Sequence, residues 1–259
     1  MSAQEIHEIM AYIGRLDPGV RARMVGASDA EISALEAISG VELCASHRTW
    51  LQYLGNTPFN ALEPLFYDYS LSIADAQEFY ARIGPKRTAM LGRAAFLFHH
   101  EIDEMLYTIQ PDDPEEDPPL TDIPFGDDGF PVPYDRLLYA SFAAWLLDQA
   151  FYRLFVFRQD NQFSVDFLRA AATATDDELR ADIAEVVTRL GFTKAPQSRG
   201  SSLLYERADL GVRFGKTYSS SPFGIGIAGA DEKETRIIVE LLHDRYGGSV
   251  TRYPKRSDE

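Results

Sequence analysis

Residues 28 to 56, SDAEISALEAISGVELCASHRTWLQYLGN, constrain the fold more than any other stretch, because their punctuation marks out two short helices and the corner between them. Ser28 with Glu31 three residues later is a capping box: each side chain satisfies a backbone N–H left unpaired at a helix start, so a helix is expected from Asp29. Ile32, Leu35 and Ile38 recur at three-residue spacing and are expected to share a buried face, with Asp29, Ser33 and Glu36 pointing elsewhere. Gly40 supplies the left-handed residue that ends the run. Val41 and Leu43 form an apolar hook, and Trp50, Leu51 and Leu54 mark the stripe of a second helix closing at Gly55-Asn56. Helices this short are marginal alone in water, so the pair must bury its shared face on a larger body.

The remaining chain can supply that body. Its 259 residues and 45% hydrophobic content suit one large or two ordinary domains with a sizeable core. The single cysteine, Cys44, can form no internal disulfide. With no helix N-terminus or cation evident beside it, it is expected to pack as a small apolar group. The opening MSAQEIHEIMAYIGRL lacks the order of a signal peptide, and the most apolar long segment, 137 to 157, is broken by Asp148 and Arg153. A cytoplasmic protein with no membrane partner is expected. The net charge of -15 argues against direct nucleic-acid binding, which gains from Lys and Arg neutralising phosphates. Residues 1 to 159 hold 24 acidic and 11 basic side chains, against 16 and 14 in the remainder, so the first part carries most of the excess. A basic partner suits that surface.

In chain order, Ile6, Ile9, Met10 and Ile13 lie on the apolar face of an N-terminal helix that ends at a turn, Asp17-Pro18-Gly19. Strands are expected at 65–71, 94–98, 105–109 and 137–140, with a helix over 74–83 ending at Gly84-Pro85 and a turn over 99–104. Residues 111 to 133 hold Pro111 and six further prolines among Asp112, Asp113, Glu115, Glu116, Asp117 and Asp122, and cannot be helical. They read as an acidic loop with a short edge strand near 129–132. Ser141 caps a long helix with Phe142, Trp145, Leu146 and Gln149 on successive turns. A boundary is expected at 158–162, giving domains 1–157 and 158–259. In the second, helical segments at 168–172 and 176–190 precede strands at 202–206, 211–214 and 223–228, a helix at 232–246 with Ile237, Ile238, Leu241 and Leu242 inward, and an optional strand at 250–253. The expected fold class is α+β, with a small α-β-β-β-α sandwich as the second domain.

Two separated stretches also carry a family resemblance. Glu31, Ile32, Leu35, Glu36, the corner Gly40-Val41-Glu42-Leu43, His47-Arg48, Trp50-Leu51 and Gly55-Asn56 resemble the opening of the SUKH superfamily, which includes yeast cell-wall-assembly regulators and bacterial immunity proteins. The corner reads Leu43-Cys44 where the family usually has Leu-Pro. The run Leu-Leu-Tyr-Ala-Ser-Phe-Ala-Ala-Trp-Leu, beginning at Leu137, is similar to that family's last strand and closing helix. The resemblance covers 28 to about 157. It implies a SUKH-like first domain, an antiparallel sheet packed by helices, that captures and neutralises a toxin domain without catalysis. A basic toxin, such as a nuclease, fits the charge, and the expected contact residues are Asp112, Asp113, Glu115, Glu116, Asp117, Asp127 and Asp128. The alternatives are a cytoplasmic regulator or scaffold of the yeast type and a nucleotide-binding enzyme.

The enzyme alternative rests on Gly224-Ile225-Gly226-Ile227-Ala228-Gly229, which matches the dinucleotide fingerprint G-x-G-x-x-G. Tyr218 to Pro222 cannot be the buried strand that must precede such a turn, and Asp244 falls inside a helix. The glycines are therefore expected in a weakened edge strand where chains approach closely. His99, His100, Glu101, Asp103 and Glu104 are metal-ligand types, but neighbours on a strand or turn point apart, so a solvated turn is expected. Residues 112 to 117 lack the glycine and terminal glutamate of a calcium loop. No metal, cofactor or catalytic set is expected.

Overall fold

The computed structural model describes residues 3–58, 61, 69–70, 72–88, 99–100, 105–109, 119–123, 136–139, 141–167, 176–195, 198, 203–215 and 223–253. The chain divides into two compact units, Met1–Gln149 and Ala150–Glu259, each combining helices with an antiparallel sheet in the α+β class.

In the first unit α1 (Ala3–Leu16) buries Ile6, Ile9, Met10 and Ile13 as its periodicity requires. Asp17 does not begin a turn. Its carboxylate accepts the Val20 N–H at 2.9 Å and caps a second short helix, α2 (Pro18–Arg23), with Pro18 at the position where a missing N–H does no harm. The capping box of α3 (Asp29–Ser39) is closed from both sides, Glu31 N–H to Ser28 Oγ at 3.3 Å and Ser28 N–H to Glu31 Oε2 at 2.8 Å, and Gly40 ends the helix at φ 70°. The helix buries Ile32, Leu35 and Ser39, whereas Ile38 is 48% exposed. At about 100° per residue, seven residues return almost to the starting direction and six do not.

The next helix, α4 (Ala45–Leu54), buries His47, Trp50, Leu51 and Leu54. Trp50 meets Phe142 edge-on at 5.3 Å between ring centres. Gly55 is right-handed (φ -60°). A Cβ there would lie 2.8 Å from both the Ala27 methyl and the Leu51 carbonyl oxygen, so closeness rather than handedness selects glycine. A bent helix, α5 (Ile73–Thr88), kinks at Gly84, where the sequence reading ends it.

Strands β1 (Tyr69–Ser70), β2 (His99–His100), β3 (Met105–Ile109), β4 (Leu120–Ile123) and β5 (Arg136–Tyr139) form an antiparallel meander in chain order. Two strands replace expected irregular structure. His99 and His100 pair with Leu106 and Met105 instead of opening a turn. Leu120–Ile123 pairs with both β3 and β5 inside the proline-rich stretch. Pro118, Pro119 and Pro124 flank that strand rather than interrupt it, so its ladder loses no donor. The strand segments expected at 65–68, 94–98 and 129–132 lie outside the described residues. Finally α6 (Phe142–Leu154) starts on a Ser141 cap, Ala144 N–H to Oγ at 3.1 Å, and runs through the division between the units. Asp148, which breaks its apolar run, is buried and accepts the Tyr139 hydroxyl at 2.8 Å.

The second unit contains β6 (Asn161–Phe167), α7 (Asp176–Arg189), β7 (Thr193–Lys194), β8 (Leu204–Arg207), β9 (Leu210–Gly215), β10 (Phe223–Gly229), α8 (Glu232–Tyr246) and β11 (Ser249–Tyr253). Its sheet has six strands in the order β11-β6-β10-β9-β8-β7, not the three of the expected sandwich. Two strands were not expected: β7, two residues long, and β6, which occupies part of the expected boundary and pairs with both β10 and β11. One sheet face, carrying Phe163, Val165, Val212, Phe214, Ile225 and Ile227, forms the core with Ile183 and Val187 of α7 and Ile238 and Leu242 of α8. Ile237 and Leu241, expected inward, are exposed, and Val239 and Thr235 take the buried positions. The helix expected at 168–172 lies outside the described residues.

Candidate functional site

The residues singled out for partner capture, Asp112, Asp113, Glu115, Glu116, Asp117, Asp127 and Asp128, lie outside the described residues. The motif positions of the helix pair, by contrast, are engaged in holding their own corner. Glu36 Oε1 accepts both the Leu43 N–H at 2.9 Å and Arg48 Nη1 at 2.6 Å, and the carboxylate beside the guanidinium holds the Arg48 pKa above its usual value. Asn56 Nδ2 donates to Glu31 Oε1 at 3.0 Å and to the Gly26 carbonyl at 3.4 Å. The Glu31 carboxyl is held below its ordinary pKa, first by the Ser28 backbone N–H, then by the Ser28 and Asn56 side chains.

His47 lies fully buried between the rings of Trp50 and Phe142, at 5.7 and 5.9 Å, and burial pushes its pKa down to about 3. It is a neutral core side chain at physiological pH. Cys44 occupies the N-cap position of α4, a place that favours thiolate and that its sequence context does not reveal. At 1% exposure, 3.3 Å from the Ser46 hydroxyl, its sulfur is closed off from reagents. Among the described residues no cluster of His, Cys, Asp and Glu is arranged to hold a metal ion.

The glycine segment is where the arrangement departs most from expectation. It forms β10, an interior strand between β6 and β9 and not an edge. It runs in antiparallel ladders with both neighbours over its length, so its backbone N–H groups do not converge on a pyrophosphate as a fingerprint turn requires. Alternation sends Phe223, Ile225 and Ile227 into the core and leaves Gly224, Gly226 and Ala228 on the reverse face.

Three glycines of this sheet have different surroundings. A Cβ on Gly229 would fall 2.2 Å from Leu210 Cδ2 and 2.7 Å from Thr235 Oγ1. One on Gly211 would fall 2.6 Å from the Phe155 ring, which with Phe151 covers one end of the reverse face. Gly226 is different: a Cβ there would meet nothing nearer than Arg213, at 4.0 Å.

That bare position is the floor of a cleft of about 600 Å³, solvent-open space included. Gly224 and Gly215, direct neighbours in the register, also line it. Gln162 and Ser164 of β6 form one side, with Tyr253 of β11 beyond them, and Arg213 of β9 forms the other. Tyr152 and Val156 close one end, and the Arg213 guanidinium lies 5.1 Å from the centre of the Tyr152 ring. Gln162 Nε2 donates to the carbonyls of Gln159 at 3.0 Å and Phe157 at 3.3 Å, which fixes the amide.

Asp166 shares the reverse face one row further on, directly beside Gly224. It is 9% exposed, and its Oδ1 has no hydrogen-bond partner among the described residues.

No family model, curated protein or solved structure matches the chain.

The cleft therefore stands on its geometry. The sequence reading weighed the glycines as a dinucleotide turn or as a weakened edge strand in close packing and did not expect a cleft, although two signals were present. QFSVDF, residues 162 to 167, alternates polar and apolar, which marks a half-buried strand, and Gly224 and Gly226 sit at period two among Phe223, Ile225 and Ile227.

Proposed function

We propose that the protein is a non-enzymatic binding protein of the immunity type, whose first unit captures and neutralises a toxin domain with a basic surface. The observation that carries this reading is the charge: -15 overall, concentrated before residue 160, with eight carboxylates between 112 and 128 in a stretch too rich in proline to be helical. The SUKH-like helix pair supports it. Glu31, Glu36, Arg48 and Asn56, the polar positions of that pattern, are committed to their own corner, which makes the pair a rigid scaffold and leaves recognition to other surfaces.

Capture by charge has a kinetic signature. Attraction speeds encounter and fades as the screening length shrinks from about 10 Å at 0.1 M salt to about 3 Å at 1 M, while dissociation changes less. The partner is identified by pull-down at low salt from the native organism. Replacing Asp112, Asp113, Glu115, Glu116 and Asp117 together by Asn or Gln is then expected to slow association about tenfold and flatten its salt dependence. An unchanged rate and salt slope would remove these residues from the contact surface.

A further inference from the structure

We propose that the cleft on the reverse face of the second unit's sheet binds a small aromatic hydroxycarboxylate, with its carboxylate on Arg213, its hydroxyl on Ser164 and its ring above Gly226. This does not depend on the immunity-type reading, which concerns the first unit.

The ladder sets the dimensions. Ser164 of β6 pairs with Gly226 of β10, and Gly226 pairs with Arg213 of β9, so the three stand side by side on one face. A side chain at 226 would rise between the other two. Glycine leaves that space open: among the described residues only Arg213, at 4.0 Å, comes near the place of a Cβ. Tyr152 and Tyr253 border the opening with aromatic faces.

Arg213 sets the charge. Among the described residues lining the cleft it is the one that is ionised at neutral pH, and no carboxylate accompanies it there. Its guanidinium lies over Gly215, 3.8 Å from the place of a Cβ there, and 5.1 Å from the centre of the Tyr152 ring. A planar fork of five N–H donors matches a carboxylate in bidentate fashion and can hold it alongside other partners. The acidic excess of the first part of the chain is not repeated here, since residues 160 to 259 hold 16 acidic and 14 basic side chains.

Ser164 sets the far end. It lines the cleft at 5% exposure, and its hydroxyl has no hydrogen-bond partner among the described residues. A buried hydroxyl left unpaired is unfavourable, and because it can donate or accept, a ligand hydroxyl completes it in either sense. From Gly215, beneath the guanidinium, to Ser164 is two strands across and two residues along, about 12 Å between Cα atoms. One benzene ring with a carboxylate and a hydroxyl at opposite ends, plus a hydrogen bond of about 2.8 Å at each, spans that distance.

Calorimetric titration of the full-length protein with para-hydroxybenzoate, para-hydroxybenzamide and benzoate tests the proposal. The amide keeps the shape and loses the charge, and benzoate loses the hydroxyl. Each is expected to bind about tenfold or more weakly than para-hydroxybenzoate, because sites that pair with a polar group reject analogues lacking it. Ser164→Ala removes a hydroxyl that has no partner among the described residues, so it is expected to keep the thermal midpoint and to erase the preference over benzoate. Arg213→Gln is expected to erase the preference over the amide. Should that variant not fold, Ser164→Ala serves alone. Absence of para-hydroxybenzoate binding at about 1 mM, equal affinity for it and the amide, or a preference over benzoate that survives in Ser164→Ala would each overturn the proposal.

Discussion

In the first unit, Asp148 accepts from Tyr139, Glu36 takes Arg48 and the Leu43 N–H, and the buried imidazole of His47 is neutral among aromatic rings. In the second, Asp166 keeps an unpartnered oxygen and Gly226 leaves a gap that no described neighbour fills. Polar groups at named sequence positions thus serve the first unit's internal architecture, while on the second unit's reverse sheet face they remain available. A buried acceptor without a partner is unfavourable, so the Asp166 oxygen costs the second unit stability where the paired carboxylates of the first unit do not.

The comparison can be broken at its strongest point. Trp50 is fully buried against Phe142, so Trp50→Ala is expected to lower the stability of the first unit by about 3 to 5 kcal/mol, read from chemical denaturation. A loss below about 1 kcal/mol would mean that this core is not the tightly packed body described.

A smaller effect follows from His47. Its folded pKa, about 3, lies below the ordinary 6.5, so the native state excludes a proton that the unfolded chain accepts. The contribution is complete above pH 6.5 and is lost as pH falls toward about 3, at about 1.4 kcal/mol per pH unit, or about 2 kcal/mol by pH 5. Both tryptophans, Trp50 and Trp145, belong to the first unit, so their fluorescence follows its unfolding selectively. His47→Leu is expected to abolish that share of the acid sensitivity. An identical pH slope in the variant would place the acid-sensitive group elsewhere.

The smallest effect sharpens the contrast between architecture and availability. Ser28→Ala removes the oxygen that caps α3 and is expected to cost about 1 kcal/mol, with the helix otherwise retained. No loss in a urea titration would show that Glu31 and Asn56 hold the helix start without the box.

Elements whose signals are local were readable in the chain itself. Ser28 with Glu31, Gly40 and Ser141 each mark a helix terminus through bonds spanning only a few residues, and α8 occupies the span its pattern indicates. Errors arose where a pattern needed a partner to complete it. Ile38 and Ile237 fit an apolar stripe but turn outward, because they fall off the seven-residue repeats that bury Ile32 with Ser39 and Thr235 with Leu242. β6, of which only the first two residues fall in the expected boundary, carries an alternation too short to be read alone, since its hydrogen bonds go to β10 and β11, more than 55 and 80 residues later.

The residues alone determined the α+β class, the helix termini and the acidic first part, because helix caps, periodicity and net charge depend on short-range covalent order and on composition. Only the tertiary structure decided what each glycine of β10 does. Gly229 is crowded by Leu210 and Thr235, while the strand's pleat sends Gly226 to the opposite face, where the floor stays bare. Clearance around a Cβ is a property of segments brought together from distant parts of the chain, and no local pattern encodes it.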